Sequence, residues 1–199
     1  MITNHTQLIN WLIAKHNLTS YCEIGTQNCN NNFHKIHSPV TSLIKVGVDP
    51  EPINGDNRIT VGTSDEYFAL NPPKMDIYFI DGYHECEQVK RDFENTLRCL
   101  NDNGFIVLHD TLPDEEQFTT VPRATKKWFG NVYLFATTLY AYGLEYVTLD
   151  MDCGCTVVRK KQAATAPKVP AATQNWEGYV KHGRELMNVI KPGEIENYF

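Results

Sequence analysis

The sequence predicts an α/β fold: a doubly wound, mostly parallel sheet of seven strands that ends in an antiparallel hairpin. Three observations carry this prediction. Short apolar runs alternate with helix-period segments as far as residue 110, the pattern of parallel strands covered by helices. Several consecutive runs close on a polar or acidic residue, among them Glu23, Asp49, Asp81 and His109-Asp110. Near the C-terminus two further apolar runs are joined only by Asp150-Met151-Asp152-Cys153-Gly154, too short for a helical crossover and right for a hairpin.

The elements follow in order. Met1 to His16 reads as an amphipathic helix, and Ser20 to Gly25 as a strand ending in glycine. An Asn-rich stretch, Gln27 to Asn32, leads into a short helix around Phe33 to His37. Leu43 to Asp49 is the second strand and Arg58 to Val61 a brief third. Ser64 to Leu70 is a short helix, stopped by Asn71-Pro72-Pro73. Asp76 to Ile80 is apolar enough for a sheet centre. Glu85 to Leu100 carries Val89, Phe93, Thr96, Leu97 and Leu100 on one helical face. Asn101-Asp102-Asn103-Gly104 is expected to end that helix before the strand Phe105 to Leu108. Arg123 to Phe129 is expected as a helix, and Leu144 to Leu149 and Cys155 to Val158 as the hairpin strands. Residues 1–162 then form one domain, 163–173 an Ala/Pro linker and 174–199 a final helix and tail, with Trp176, Tyr179, Val180, Met187 and Ile190 at helical spacing.

Composition limits the function. The chain has 199 residues with 18 Lys+Arg against 24 Asp+Glu, a net charge of −6. That balance argues against nucleic-acid binding, which needs clustered cations to displace counterions. No apolar run approaches the ~20 residues that span a bilayer. The opening segment lacks a basic start and a small-residue cleavage site, so it does not read as a signal peptide. A cytoplasmic protein is expected. The six cysteines form no Cys-x-x-Cys pair and are expected to be reduced, with Cys153 and Cys155 on one strand face.

In a doubly wound sheet, ligands bind where the strands end, near the point at which strand order reverses. A glycine after the first strand allows close backbone approach. Asp49 lies 24 residues beyond Gly25, the place of a carboxylate that accepts two ribose hydroxyls. Gly25-Thr26-Gln27-Asn28-Cys29-Asn30 lacks the G-x-G-x-x-G of pyrophosphate binders. A cofactor without phosphates is favoured, and S-adenosylmethionine is the obvious one. Tyr83, Trp128, Tyr140 and Tyr142 are either acceptor-pocket residues or packing.

YCEIGTQNCN, VGVDP, FIDGYHECEQVKRDF and L-x-x-x-G-F-I-V-L-H-D, in this order, resemble the class I S-adenosylmethionine-dependent methyltransferases. They are most similar to the type 24 group with the macrocin O-methyltransferase-like and cephalosporin-hydroxylase-like proteins. The similarity covers roughly residues 20–160. It implies that Glu23 and Gly25 form the first cofactor motif, that Asp49 holds the ribose hydroxyls, and that Ser64 lies beside the adenine. In metal-dependent relatives the positions of Asp81 and of His109-Asp110 ligate Mg2+, which would also place Asp81 against the cofactor. The histidine matching His84 is the suggested general base, with His109 beside it. His109 departs from the pattern, because magnesium-dependent relatives often carry a carboxylate there.

Two readings follow. One is S-adenosylmethionine-dependent methylation of a hydroxyl on a small-molecule or sugar-containing acceptor. The other is a non-catalytic nucleoside-binding or assembly module that keeps the fold. The short glycine loop favours the second; Asp49, Asp81, His84 and Asp110 favour the first. A hydrolase is disfavoured because Gly62-Thr63-Ser64-Asp65-Glu66 lacks the second glycine of G-x-S-x-G. An exposed apolar face on the last helix would suit a homodimer.

Overall fold

A computed structural model describes residues 1–39, 42–164 and 175–199. The opening helix α1 (His5–His16) starts later than its apolar pattern, because the Asn4 side chain accepts from the Gln7 amide and caps it. Strands β1 (Ser20–Ile24), β2 (Ile44–Asp49), β3 (Ile59–Val61), β4 (Met75–Ile80) and β5 (Leu100–Leu108) pair in parallel. Helix α2 (Ser64–Ala69) is held by a Thr63/Glu66 capping box, and α3 (Cys86–Arg98) by the Glu85 side chain. Strands β6 (Leu144–Leu149) and β7 (Cys155–Gln162) form the expected hairpin, with β7 antiparallel to β5.

An eighth strand extends the expected seven. β8 (Val189–Ile190) follows α5 (Trp176–Leu186) and lies parallel to β6, giving the order β3-β2-β1-β4-β5-β7-β6-β8. Ile190 therefore belongs to the sheet and not to the last helix. The order reverses between β1 and β4, which makes their carboxyl ends the crevice.

Alternate residues of each strand serve two cores. Tyr21, Ile77, Phe79, Phe105 and Val107 pack under α1 and Ile195 of the C-terminal tail. Cys22, Ile24, Tyr78, Ile80, Ile106 and Leu108 pack under α2, α3 and α4 (Val132–Ala136). Phe93 of α3 is fully buried there, a contribution of ~2–3 kcal/mol by area.

Three sequence expectations are corrected. Asn101 to Gly104 do not form a turn: β5 begins at Leu100, and a register shift opposite Met75–Ile77 absorbs the polar residues at its outer end. Arg123 to Phe129 is not helical. There the Arg123 guanidinium donates to the Thr125 and Lys126 carbonyls and the Thr125 hydroxyl to the Lys127 carbonyl, so side chains satisfy the backbone instead of a helix. Cys153 and Cys155 do not share a face, because Cys153 sits exposed in the turn with φ 65° while Cys155 is buried in β7. All six cysteines are free.

The expected linker lies almost wholly outside the described residues. Part of the apolar face of α5 is used within the chain: Trp176 and Tyr179 pack on Tyr133, and the Tyr179 hydroxyl donates to the Pro113 carbonyl, while Val180 stays exposed. Among the described residues no helix is long and apolar enough to cross a membrane.

Candidate active site

The carboxyl ends of β4 and β5 bring four of the expected residues together. His84 Nε2 lies 3.3 Å from Asp81 Oδ1, and its Nδ1 lies 3.2 Å from Asp110 Oδ2. His109 Nδ1 lies 3.2 Å from the same Asp81 oxygen and 3.6 Å from Asp110 Oδ1. Asp110 takes the left-handed conformation at φ 56°, a shape aspartate tolerates better than most residues. It turns the carboxylate back over the rim.

Two imidazoles and two carboxylates so close set one another's protonation. Burial opposes the charge on each, but the His109 and His84 imidazoles hold Asp81 below the usual carboxylate range. Burial likewise opposes charge on His84, yet Asp81 and Asp110 raise its pKa above the ordinary histidine value. His109 is raised well above that value, with Asp81 and Asp152 overcoming its burial. Asp110 moves the other way: burial and the neighbouring Asp81 charge raise it. Neighbouring groups pushed apart in this way are typical of sites that move protons.

Trp128 stacks on His84 with ring centroids 5.0 Å apart and planes 9° from parallel. Its segment is latched in place: Trp128 Nε1 donates to the Thr120 carbonyl, and the Asn131 amide to the His84 carbonyl. The non-helical course of 123–129 thus presents this ring to the site. Tyr83 is exposed beside it, whereas Tyr142 packs on Phe93 and donates to Glu94.

The other expected residues lie around the ends of β1 and β2 and at the start of α2. Asp49 ends β2 with Oδ2 accepting from the Gln27 amide (2.7 Å) and Oδ1 from the Glu51 amide (2.8 Å). Gly25 sits at the end of β1 against the Asp81–Gly82 backbone. Glu23 is only 1% exposed and accepts from the Tyr21 hydroxyl and from Asn32 Nδ2, with burial pushing its pKa up to about 8. These bonds fix its carboxylate against Tyr21 and Asn32 near the end of β1. Ser64 is joined to α3, where Gln88 Nε2 donates to its hydroxyl and to the buried Asp92.

Sequence reasoning missed two contributors. His5, at the start of α1, meets Asp152 of the β6–β7 turn, with Nδ1 2.6 Å and the backbone amide 2.7 Å from Asp152 Oδ2. His109 Nε2 lies 3.8 Å from that oxygen. Positions 147 residues apart carry no local signal; only the hairpin pairing and the path of α1 unite them.

Residues 15–111 match the family profile of a methyltransferase domain. No curated protein matches the chain. Among solved structures, one designated a caffeoyl-CoA O-methyltransferase from Staphylococcus aureus is 18% identical, with 80% of this chain and 85% of that chain covered and a TM-score of 0.58. An O-methyltransferase from Bacillus cereus solved with SAH is 13% identical over 78% and 80% of the two chains, TM-score 0.55. The O-methyltransferase TomG from Streptomyces achromogenes, solved with SAM, is 13% identical over 78% and 79%, TM-score 0.54. The fold is that of these methyltransferases.

Proposed function

From a chain whose residues 15–111 match a methyltransferase-domain profile, we propose S-adenosylmethionine-dependent methylation of a hydroxyl on a small-molecule acceptor, with His84 as the general base. The observation that carries this reading is the placement of His84 between Asp81 and Asp110 at the strand ends beside the sheet's switch point. The residues around β1 and β2 fit the cofactor. A carboxylate offers about four lone-pair positions, so Asp49 keeps capacity for a ribose diol after binding two amides. Thr26, in the turn after β1, holds a buried hydroxyl with no hydrogen-bond partner among the described residues.

The donor set does not fit magnesium. That ion demands oxygen ligands in octahedral geometry, whereas Asp81 and Asp110 already face two imidazoles, and imidazole suits softer ions. Side chains alone therefore move the proton. When bound, S-adenosylmethionine supplies a sulfonium-activated methyl group. His84 would take the acceptor's hydroxyl proton as its oxygen takes the methyl group and the sulfonium S–C bond breaks to leave the neutral thioether, and Asp81 and Asp110 would stabilise the imidazolium. Trp128, stacked on the imidazole, fixes its plane and screens it from water. Positioning of this kind supplies much of the rate in a bimolecular transfer.

Isothermal titration with S-adenosylhomocysteine tests the cofactor: micromolar binding without added metal supports the reading, and no binding overturns it in favour of a non-catalytic module. Asp49→Ala is expected to weaken that binding about 10- to 100-fold, the loss of one charged hydrogen-bond acceptor. Unchanged affinity would remove Asp49 from the ribose site.

A further inference from the structure

We propose that His5, His109 and Asp152 form a binding site for one zinc- or cobalt-type divalent cation, separate from the Asp81–His84–Asp110 group. One ligand atom from each of the three residues lies within 4.8 Å of the others. Two imidazoles and one carboxylate are a donor set for such ions, and three protein ligands leave a coordination position open.

The hydrogen bonding of His109 supports this assignment. Its Nδ1 is bonded to Asp81 Oδ1 at 3.2 Å, which leaves Nε2 on the side facing Asp152. That nitrogen is buried and has no hydrogen-bond partner among the described residues. A metal-ligating histidine ordinarily donates its other nitrogen to a carboxylate, and Asp81 stands in that place. A simple ion pair stapling α1 to the hairpin accounts for the 2.6 Å contact of His5 with Asp152, whereas His109 Nε2, 3.8 Å from the same oxygen, is too far away for a hydrogen bond to it.

The distances are those of a nearly assembled site. Ligands about 2.0–2.1 Å from a tetrahedral ion sit roughly 3.3 Å from one another. The 3.8 Å separation of His109 Nε2 from Asp152 Oδ2 must close a little, and the 2.6 Å pair must open a little. The framework limits larger shifts. His5 is stacked on Phe79 at 5.2 Å, and the Leu112 and Thr111 amides donate to the Cys153 and Gly154 carbonyls, tying the turn to the end of β5.

The test is titration of the full chain with Co2+, read by its visible d–d absorption, and with Zn2+ by calorimetry, alongside thermal melting. One ion per chain and a rise in Tm are expected, with excess Mg2+ failing to compete. His5→Ala and Asp152→Asn should each weaken uptake at least about tenfold while S-adenosylhomocysteine binding persists, which shows that the variants fold and separates this site from the cofactor reading. Asp152→Asn retains an oxygen for the His5 amide, so its fold is the safer control. No uptake, or uptake that survives both variants, overturns the site. Loss with Asp110→Asn but not with His5→Ala would also overturn it, placing the ion on the neighbouring group.

Discussion

His84→Ala is expected to lower turnover by roughly two to four orders of magnitude, the usual contribution of a positioned general base, with S-adenosylhomocysteine affinity essentially unchanged. The separation follows from geometry. His84 contacts Asp81, Asp110 and Trp128, not Asp49 or the turn after β1. The base must be neutral to accept a proton, yet Asp81 and Asp110 overcome its burial and stabilise the charged form, raising its pKa. The wild-type rate should therefore rise with pH through an inflection above the ~6.5 of an ordinary histidine. Asp110→Asn removes one of the stabilising charges and should move that inflection to lower pH. Methyl transfer from tritiated cofactor, followed over a pH series with an acceptor found by screening hydroxyl compounds, measures both effects. A His84→Ala enzyme at wild-type rate would hand the proton to another group, and an inflection unmoved in Asp110→Asn would detach the carboxylate from the base.

The sheet was legible because its first five strands are short apolar runs closed by polar residues, and a parallel strand buried on both faces leaves that trace. The cluster was legible for the same reason: Asp81, His84, His109 and Asp110 directly follow two central strands, so placing the strands places the side chains. What escaped was decided by contacts distant in sequence. Asn101 to Gly104 have turn composition, but pairing with β4 begins at Leu100 and overrides it. Arg123 to Phe129 has a helical pattern, but side-chain bonds to its own carbonyls and the stacking of Trp128 on His84 hold it irregular. The Ser64 hydroxyl accepts from Gln88 on α3, a contact between two helices that carries no local sequence signal. Glu23 shows the limit of a motif position: its place in β1 was read, whereas its burial with Tyr21 and Asn32 depends on the chain returning beneath the sheet.

Gly25→Ala is expected to destabilise the protein by about 3 kcal/mol and to abolish cofactor binding. A side chain at φ 87° carries a penalty of ~1–2 kcal/mol by itself. The added Cβ would also lie 2.3 Å from the Asp81 carbonyl oxygen and 2.5 Å from Gly82 Cα, an overpacking usually worth ~1–3 kcal/mol. Neither backbone can yield freely. The Gly25 amide donates to Val48 at 2.8 Å, and the Asp81 amide to Ile24 at 2.9 Å, so β1, β2 and β4 are fastened together where the methyl must enter. Relief would come by spreading the strand ends, carrying Asp81 away from His84 and His109 and opening the crevice at the switch point. Gly143→Ala separates strain from displacement: its φ is 64°, but among the described residues an added Cβ meets only Gln162 Oε1, at 3.5 Å. That variant should lose about 1 kcal/mol in urea unfolding and still bind S-adenosylhomocysteine. If the two variants unfold at the same urea concentration and both bind, the approach of Gly25 to Asp81 does not hold the rim, and the cofactor crevice must be fixed by the Asp49 contacts to Gln27 and Glu51 instead.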